Sequence, residues 1–395
     1  MLPTVLSQEL MEGVQAFLDS TFPTTTPAFK SSFEPILRQV GPQSLFQGPY
    51  YRVGLPFRKG TRGQDFFPHL ETQFPPHLHQ EKAWERLLTS NRRSTLVATG
   101  TGSGKTECFL YPILDHILDN PSTKGIKAII LYPMNALASD QARRFAAEIY
   151  RNTATQGKVR VGLYVGGKTE ASEGMSAESV ITARETLRNN PPDILLTNYK
   201  MLDYLLIRPE DRELWSENNS ETLSYLVVDE LHTFDGAQGS DLACLVRRLK
   251  ARLKTPEKHL CCVGTSATLG NDSGQGSMIQ FAENIFRESF DAPDESVITE
   301  DRISPAEHIG LKRIEARWVE PPQPEDFAAL MPRNYNSIEA YITAQVKLWF
   351  PESTALDFKK DEDRFTLAEY LREHQFLRTT LNELGKQSAT EEAAL

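Results

Sequence analysis

Between residues 76 and 290, short apolar runs rich in β-branched residues alternate with amphipathic stretches, and this rhythm constrains the fold more than any other feature of the chain. The runs are Ser94 to Ala98 (STLVA), Lys127 to Tyr132 (KAIILY), Val159 to Val165 (VRVGLYV), Asp193 to Thr197 (DILLT), Tyr225 to Asp229 (YLVVD) and Leu260 to Gly264 (LCCVG). Between them lie ECFLYPILDHILD, ALASDQARRFAAEIY and SDLACLVRRLKARL, which have helical spacing. A strand that is apolar on both faces must be covered on both faces, so the pattern predicts a parallel α/β sheet with helices on each side. Its crossovers should be right-handed, and ligands should bind beyond the carboxyl ends of the strands.

The flanks differ from this middle. Residues 1–75 read as an N-terminal extension packed on the next domain: one helical stretch, then a Pro-, Gly- and aromatic-rich segment. Residues 291–395 read as an acidic, mainly helical appendage, because the strand rhythm stops near 290. The length of 395 residues allows two or three domains at roughly 150 residues each. The net charge is −10, and it is uneven. From Asp291 onward there are 21 acidic and 12 basic residues, a net of −9, so the rest of the chain is nearly neutral. Such a chain does not hold nucleic acid by bulk charge, although a groove needs only a local cluster of donors. No apolar stretch approaches the roughly 20 residues of a membrane span, and MLPTVLSQELMEGVQAF lacks the basic start of a signal peptide. Four cysteines with no C-x-x-C pair suggest reduced thiols, no zinc site and a cytoplasmic protein. Cys108, Cys244, Cys261 and Cys262 are all expected to be buried in helices and strands.

Three local patterns carry chemistry. Ala98 to Thr106 (ATGTGSGKT) follows a strand and opens a helix. Small residues there let successive N–H groups face a phosphate at a helix N-terminus. In that P-loop reading Thr101, Gly102, Ser103 and Gly104 cradle the phosphates of ATP, Lys105 reaches the β- and γ-phosphates, and Thr106 ligates Mg2+. The strict pattern would place Gly at position 99, where this chain has Thr. The second pattern, Val227 to His232 (VVDELH), ends an apolar strand 124 residues beyond the lysine. Asp229 then holds Mg2+ in the Walker-B role and Glu230 serves as the base for the attacking water. The third, Thr265 to Thr268 (TSAT), is weak alone, but small hydroxyl residues at a strand end suit a relay between the phosphate site and a neighbouring surface.

In this order the motifs resemble the first motor lobe of a superfamily-2 helicase of the DEAD/DEAH-box type. They run as Gln80 in LHQEKAW, the P-loop, Pro133 through Gln141 (PMNALASDQ), Gly166-Gly167, Thr197-Asn198-Tyr199, Asp229 to His232 and Ser266 to Thr268. The box reads Asp-Glu-Leu-His. HTFDGAQGSDLACLVRRLK, after the box, resembles YprA/MrfA-like bacterial helicases, and the large helicases of Druantia-type defence loci are also similar. The resemblance implies a RecA-like P-loop NTPase fold over 76–290, with Gln80 reading adenine. It places Pro133, Asn135, Ala136, Gly166, Gly167, Thr197 and Asn198 on the strand-binding face, and makes His232, Ser266, Ala267 and Thr268 coupling residues. Arg143 and Arg144 either add charge to that face or are solvated. DNA is favoured over RNA.

A complete motor of this type has a second lobe with an arginine finger, and no such Gly-Arg element is found between Leu269 and Leu395. The resemblance therefore implies a second lobe, in cis in a longer parent or in trans. Two other readings stay open: a non-enzymatic nucleotide- and strand-binding half-motor, and the motor part of a restriction or defence complex.

Overall fold

The computed structural model describes residues 54–304 except for 63–65, 73, 89, 91, 101, 168–170, 267–271 and 292, together with parts of the flanks, chiefly 3–23, 334–351 and 360–380. The chain divides into two compact units, Pro56–Ile303 and the joined flanks Met1–Leu55 with Ser304–Leu395. In the flanking unit the described helices are α1 (Pro3–Thr21), and α9 (Ile338–Trp349) and α10 (Asp361–Glu373) near the other end. An apolar groove of about 300 Å3 lies along Val346, Trp349, Phe350, Leu367 and Leu371.

Within Pro56–Ile303 the elements alternate as the sequence rhythm requires. They are α2 (Leu78–Leu87), β1 (Thr95–Ala98), α3 (Lys105–Asp119), β2 (Ala128–Tyr132), α4 (Asn135–Arg151), β3 (Val161–Tyr164), α5 (Arg184–Asn189), β4 (Ile194–Asn198), α6 (Tyr199–Ile207), β5 (Tyr225–Val228), α7 (Gly236–Leu253), β6 (Cys261–Ser266), α8 (Asp272–Phe286) and β7 (Val297–Thr299). The strands form one parallel sheet in the order β3-β4-β2-β5-β6-β1-β7.

Alternate strand residues divide the apolar core between the two faces of the sheet. Val97, Ile130, Val227 and Val263 meet Trp84, Phe109 and Phe145 from α2, α3 and α4. Leu96, Ile129, Leu131, Leu226 and Val228 meet Leu242, Leu245 and Phe286 from α7 and α8. Each such large side chain contributes about 1.5–3 kcal/mol by leaving water, which is why runs without a polar face become central strands. Cys244 departs from its expected burial. It is exposed, because Leu242, Leu245, Val246 and Leu249 take the inward face of α7.

The unit extends past both expected boundaries. Upstream of residue 76, Phe66 and Phe67 are buried against Trp84, with ring centroids 5.2 and 5.0 Å away. Downstream of 290, β7 completes the sheet against β1, pairing Ala98 with Thr299. Phe57 and Arg302 then form an antiparallel bridge. A three-residue strand and isolated aromatics have no periodicity, so burial rather than pattern places them here.

Candidate nucleotide and strand-binding site

Strand order explains why motifs far apart in sequence meet. β6 lies between β5 and β1, with Val228 level with Gly264 and Ala98 level with Ser266. The turns after β1 and β5 therefore open side by side, with the end of β6 between them. Gly102 and Gly104 both adopt φ of +79°, a left-handed backbone that a side chain at either position would strain. Thr99, which departs from the strict Gly pattern, is fully buried, and its hydroxyl lies 2.6 Å from that of Ser103. That bond ties the two ends of the loop together. Thr101 lies outside the described residues.

Around this loop is a cleft of about 440 Å3 whose walls include Phe74, Gln80, Gly102 to Thr106, Gln141, Arg144, Asp229 and Glu230, a size within the usual range for ligand clefts. Lys105 Nζ donates to Glu230 Oε1 and to the Ser266 carbonyl, both at 3.3 Å. Glu230 is itself in the left-handed region at φ +50°, and its N–H donates to Thr265 Oγ1 at 3.0 Å. The Thr265 hydroxyl donates in turn to the Asp229 carboxylate. Thr265 thus orients both acids, a more specific task than the relay that its place in TSAT suggests. Burial pushes the Asp229 carboxyl above its ordinary range and nearby Glu230 adds to this, while the Thr265 hydrogen bond and Lys105 oppose it. His232 Nδ1 is 3.5 Å from Glu230 Oε2 and 3.2 Å from Ser266 Oγ. Ala267 and Thr268 lie outside the described residues.

Gln80 caps α2 and reaches the loop at once. Its Oε1 accepts from the His77 N–H at 2.9 Å, and its Nε2 donates to the Gly104 carbonyl at 3.2 Å. Thr106 Oγ1 donates to Gln141 Oε1 at 3.3 Å, a partner that the PMNALASDQ motif contains but whose role spacing alone did not reveal. Arg144 pairs with Glu107 at 2.8 Å and lines the cleft, while Arg143 is exposed.

The other motif residues collect at the far half of the sheet, because β2, β4 and β3 are neighbours. Asn135 Nδ2 donates to the Gly166 carbonyl at 3.2 Å, and Asn198 Nδ2 donates to Asn135 Oδ1 at 2.5 Å. Asn135, Ala136 and Gly167 are exposed, and Pro133, Gly166 and Asn198 are half-buried. Thr197 is fully buried, and its hydroxyl donates to the Tyr164 carbonyl at 2.6 Å. It can shape this surface but does not lie on it.

The chemistry of the donors suits a hard cation beside phosphates: Asp229 supplies a half-buried carboxylate and Thr106 a hydroxyl in one cleft. Among the described residues, no group of three or more His, Cys, Asp or Glu is placed to hold a metal ion. An Mg2+ site built from one or two carboxylates plus substrate phosphates needs no such cage.

Residues 77–275 match the sequence model of the DEAD/DEAH box helicase family. The chain belongs to that family. It is similar to the Druantia protein DruE of Escherichia coli, at 30% identity over 50% of this chain and 16% of that protein. An uncharacterized ATP-dependent helicase of Methanocaldococcus jannaschii is 29% identical over 61% of this chain and 33% of its own length. A crystal structure of the DUF1998 helicase MrfA bound to DNA matches 70% of this chain and 37% of that one, at 22% identity and a TM-score of 0.44. The chain thus spans a third or less of the length of these two curated relatives.

Proposed function

We propose that Pro56–Ile303 is the ATP-binding motor lobe of a DNA helicase or translocase. The observation that carries the reading is the convergence of Lys105, Asp229, Glu230 and Thr265 at the ends of β1, β5 and β6. The loop Gly102 to Thr106 binds the phosphates of ATP, and Lys105 exchanges Glu230 for the γ-phosphate. Thr106 and Asp229 hold Mg2+, which when bound neutralises charge that builds on the phosphate oxygens. Once released from Lys105, the Glu230 carboxylate accepts the proton of the attacking water. His232 and Ser266 relay the state of the cleft toward the surface.

Asn135, Ala136, Gly166, Gly167 and Asn198 grip the backbone of a nucleic-acid strand. Contacts of this kind position a strand without reading its sequence, so they suit a protein of net charge −10. The resemblance to YprA/MrfA-like helicases supports DNA over RNA. A second lobe, in cis or in trans, supplies the arginine finger and the opposing wall. The likeness to a Druantia protein favours one further reading, service as the motor part of a defence complex. The test is ATP turnover with and without single-stranded DNA, run beside Lys105→Ala. Wild-type turnover indistinguishable from the variant's would reject the motor reading.

A further inference from the structure

The back of the P-loop is held by Glu300 and Arg302, which none of the helicase motifs contains, and by His79 beside Gln80. Glu300 directly follows β7, and its Oε2 accepts from the Gly100 N–H at 2.7 Å. Arg302 Nε donates to Glu300 Oε1 at 2.7 Å, and its guanidinium lies 4.1 Å from the centroid of the Phe57 ring. Phe57 also packs on His77 and His79, with ring centroids 5.1 and 5.4 Å away. His79 Nε2 in turn donates to the Ser103 carbonyl at 2.8 Å. The loop is therefore gripped at two points, Gly100 and Ser103, by one continuous clasp. Backbone bonds from Arg58 to Asp301 (2.7 Å) and from Ile303 to Pro56 (3.1 Å) knot the first and last segments of the unit together there.

We propose that Glu300 is a positioning residue for nucleotide binding, one that presets the P-loop through Gly100 and ties its shape to the segment by which the chain leaves the unit. This rests on the reading of Gly102 to Thr106 as a phosphate cradle. A carboxylate accepting from a backbone N–H makes a strong, directional bond. With Glu300 only 11% exposed at its side chain, water replaces that bond poorly. A loop held in place gives up less freedom when a phosphate arrives. The carboxylate sits at the back of the loop on Gly100, so its task is to shape the loop, not to meet the nucleotide.

The test is titration of the full chain with a fluorescent ADP analogue and Mg2+, well below each variant's melting temperature. Glu300→Ala should weaken binding by about tenfold. Glu300→Gln keeps an oxygen for Gly100 but loses the Arg302 ion pair, and should recover part of the loss. Lys82→Ala breaks the 2.8 Å pair with Asp301 in the same clasp without touching the loop, and should leave affinity unchanged. In turnover, Glu300→Ala should raise KM and leave kcat nearly intact, because Asp229 and Glu230 are undisturbed. If wild type binds and Glu300→Ala binds equally well, or if Lys82→Ala weakens binding as much, Glu300 has no positioning role of its own. If wild type itself binds no nucleotide, the phosphate-cradle reading fails, and the clasp proposal fails with it.

Discussion

Glu230→Gln should tighten nucleotide binding while suppressing hydrolysis, and the Lys105–Glu230 pair gives the reason. Lys105 Nζ lies 3.3 Å from Glu230 Oε1, with side-chain exposures of 14% and 29%. Two unit charges at that distance attract by about 5 kcal/mol at an effective dielectric constant of 20. Most of this is cancelled by lost solvation, and partly exposed pairs contribute at most about 1 kcal/mol. An incoming phosphate must displace Glu230 from Lys105 and therefore loses that amount. Gln keeps the shape and one oxygen for Lys105 but removes the competing charge, so affinity should rise about two- to fivefold. The Thr265 bond to the backbone N–H is unchanged, so the turn at φ +50° should persist. Hydrolysis should fall by about 10²–10⁴ because the base is gone. Calorimetric titration with Mg·ADP and Mg·ATP, paired with phosphate release, measures both effects. Affinity lost to the same extent as in Lys105→Ala would mean that Glu230 is structural, and unchanged turnover would mean that it is not the base.

Lys105→Ala should lower ATP affinity by about tenfold or more, and equal affinities in the same titration would remove the P-loop assignment. The Asp229 carboxyl is raised above its ordinary value of 3.8, chiefly by burial. The fold thus loses stability as the pH rises from 3.8 through the raised value, and Asp229→Asn should melt higher at pH 7.5 while losing any Mg2+-dependent gain in nucleotide affinity; a lower melting temperature would contradict this. Asp115 is buried with Oδ1 unanswered and is pushed up to about 6 by burial and by Asp119. Asp115→Asn should therefore stabilise the protein by about 1–2 kcal/mol at pH 7.5. That gain should shrink as the pH falls below 6 and vanish below 3.8, and melting curves across that range check it. Adding a second helicase lobe in trans or by fusion should raise ATP turnover by about 10³–10⁵ through its arginine finger; unchanged turnover with a folded, bound lobe would reject the split-motor reading.

Six of the seven strands were readable because each is a continuous apolar run between turn residues, and a sheet covered on both faces leaves such runs no other place. The seventh, Val297–Thr299, is too short to show a period, and only its pairing with β1 reveals it. The same limit hid Phe57, Phe66 and Phe67, whose partners are distant in sequence. In the candidate site, Gly102, Gly104 and Lys105 stood out in the sequence, because small residues and a lysine at fixed spacing are visible without their partners. Thr265, Gln141 and Glu300 act through tertiary contacts with Asp229, Thr106 and Gly100. A hydroxyl ahead of Ser-Ala-Thr and a glutamine closing PMNALASDQ were visible signals, but nothing in the spacing said what they would touch.

The sheet order also limits how the two halves of the site can communicate. The motifs proposed to hold nucleotide occupy β1, β6 and β5, those proposed to grip a strand occupy β2, β4 and β3, and β2 and β5 are neighbours. Helix α4 follows β2 and touches both groups. At its first residue, Asn135 joins Gly166 and Asn198. Six residues on, Gln141 accepts from the Thr106 hydroxyl, about 9 Å along the axis at 1.5 Å per residue. Less than two turns of one helix therefore separate the Thr106 contact from the Asn135, Gly166 and Asn198 cluster. Ala138, between these two contacts, is fully buried in the core, as are Phe145 and Ala146 just beyond them, so this stretch of α4 is held by its packing. A packed element of this kind transmits by shifting as a body. Gln141 and Asn135 therefore sit on one packed stretch of helix, and whatever free energy couples the Thr106 and Asn135 contacts must act equally in both directions.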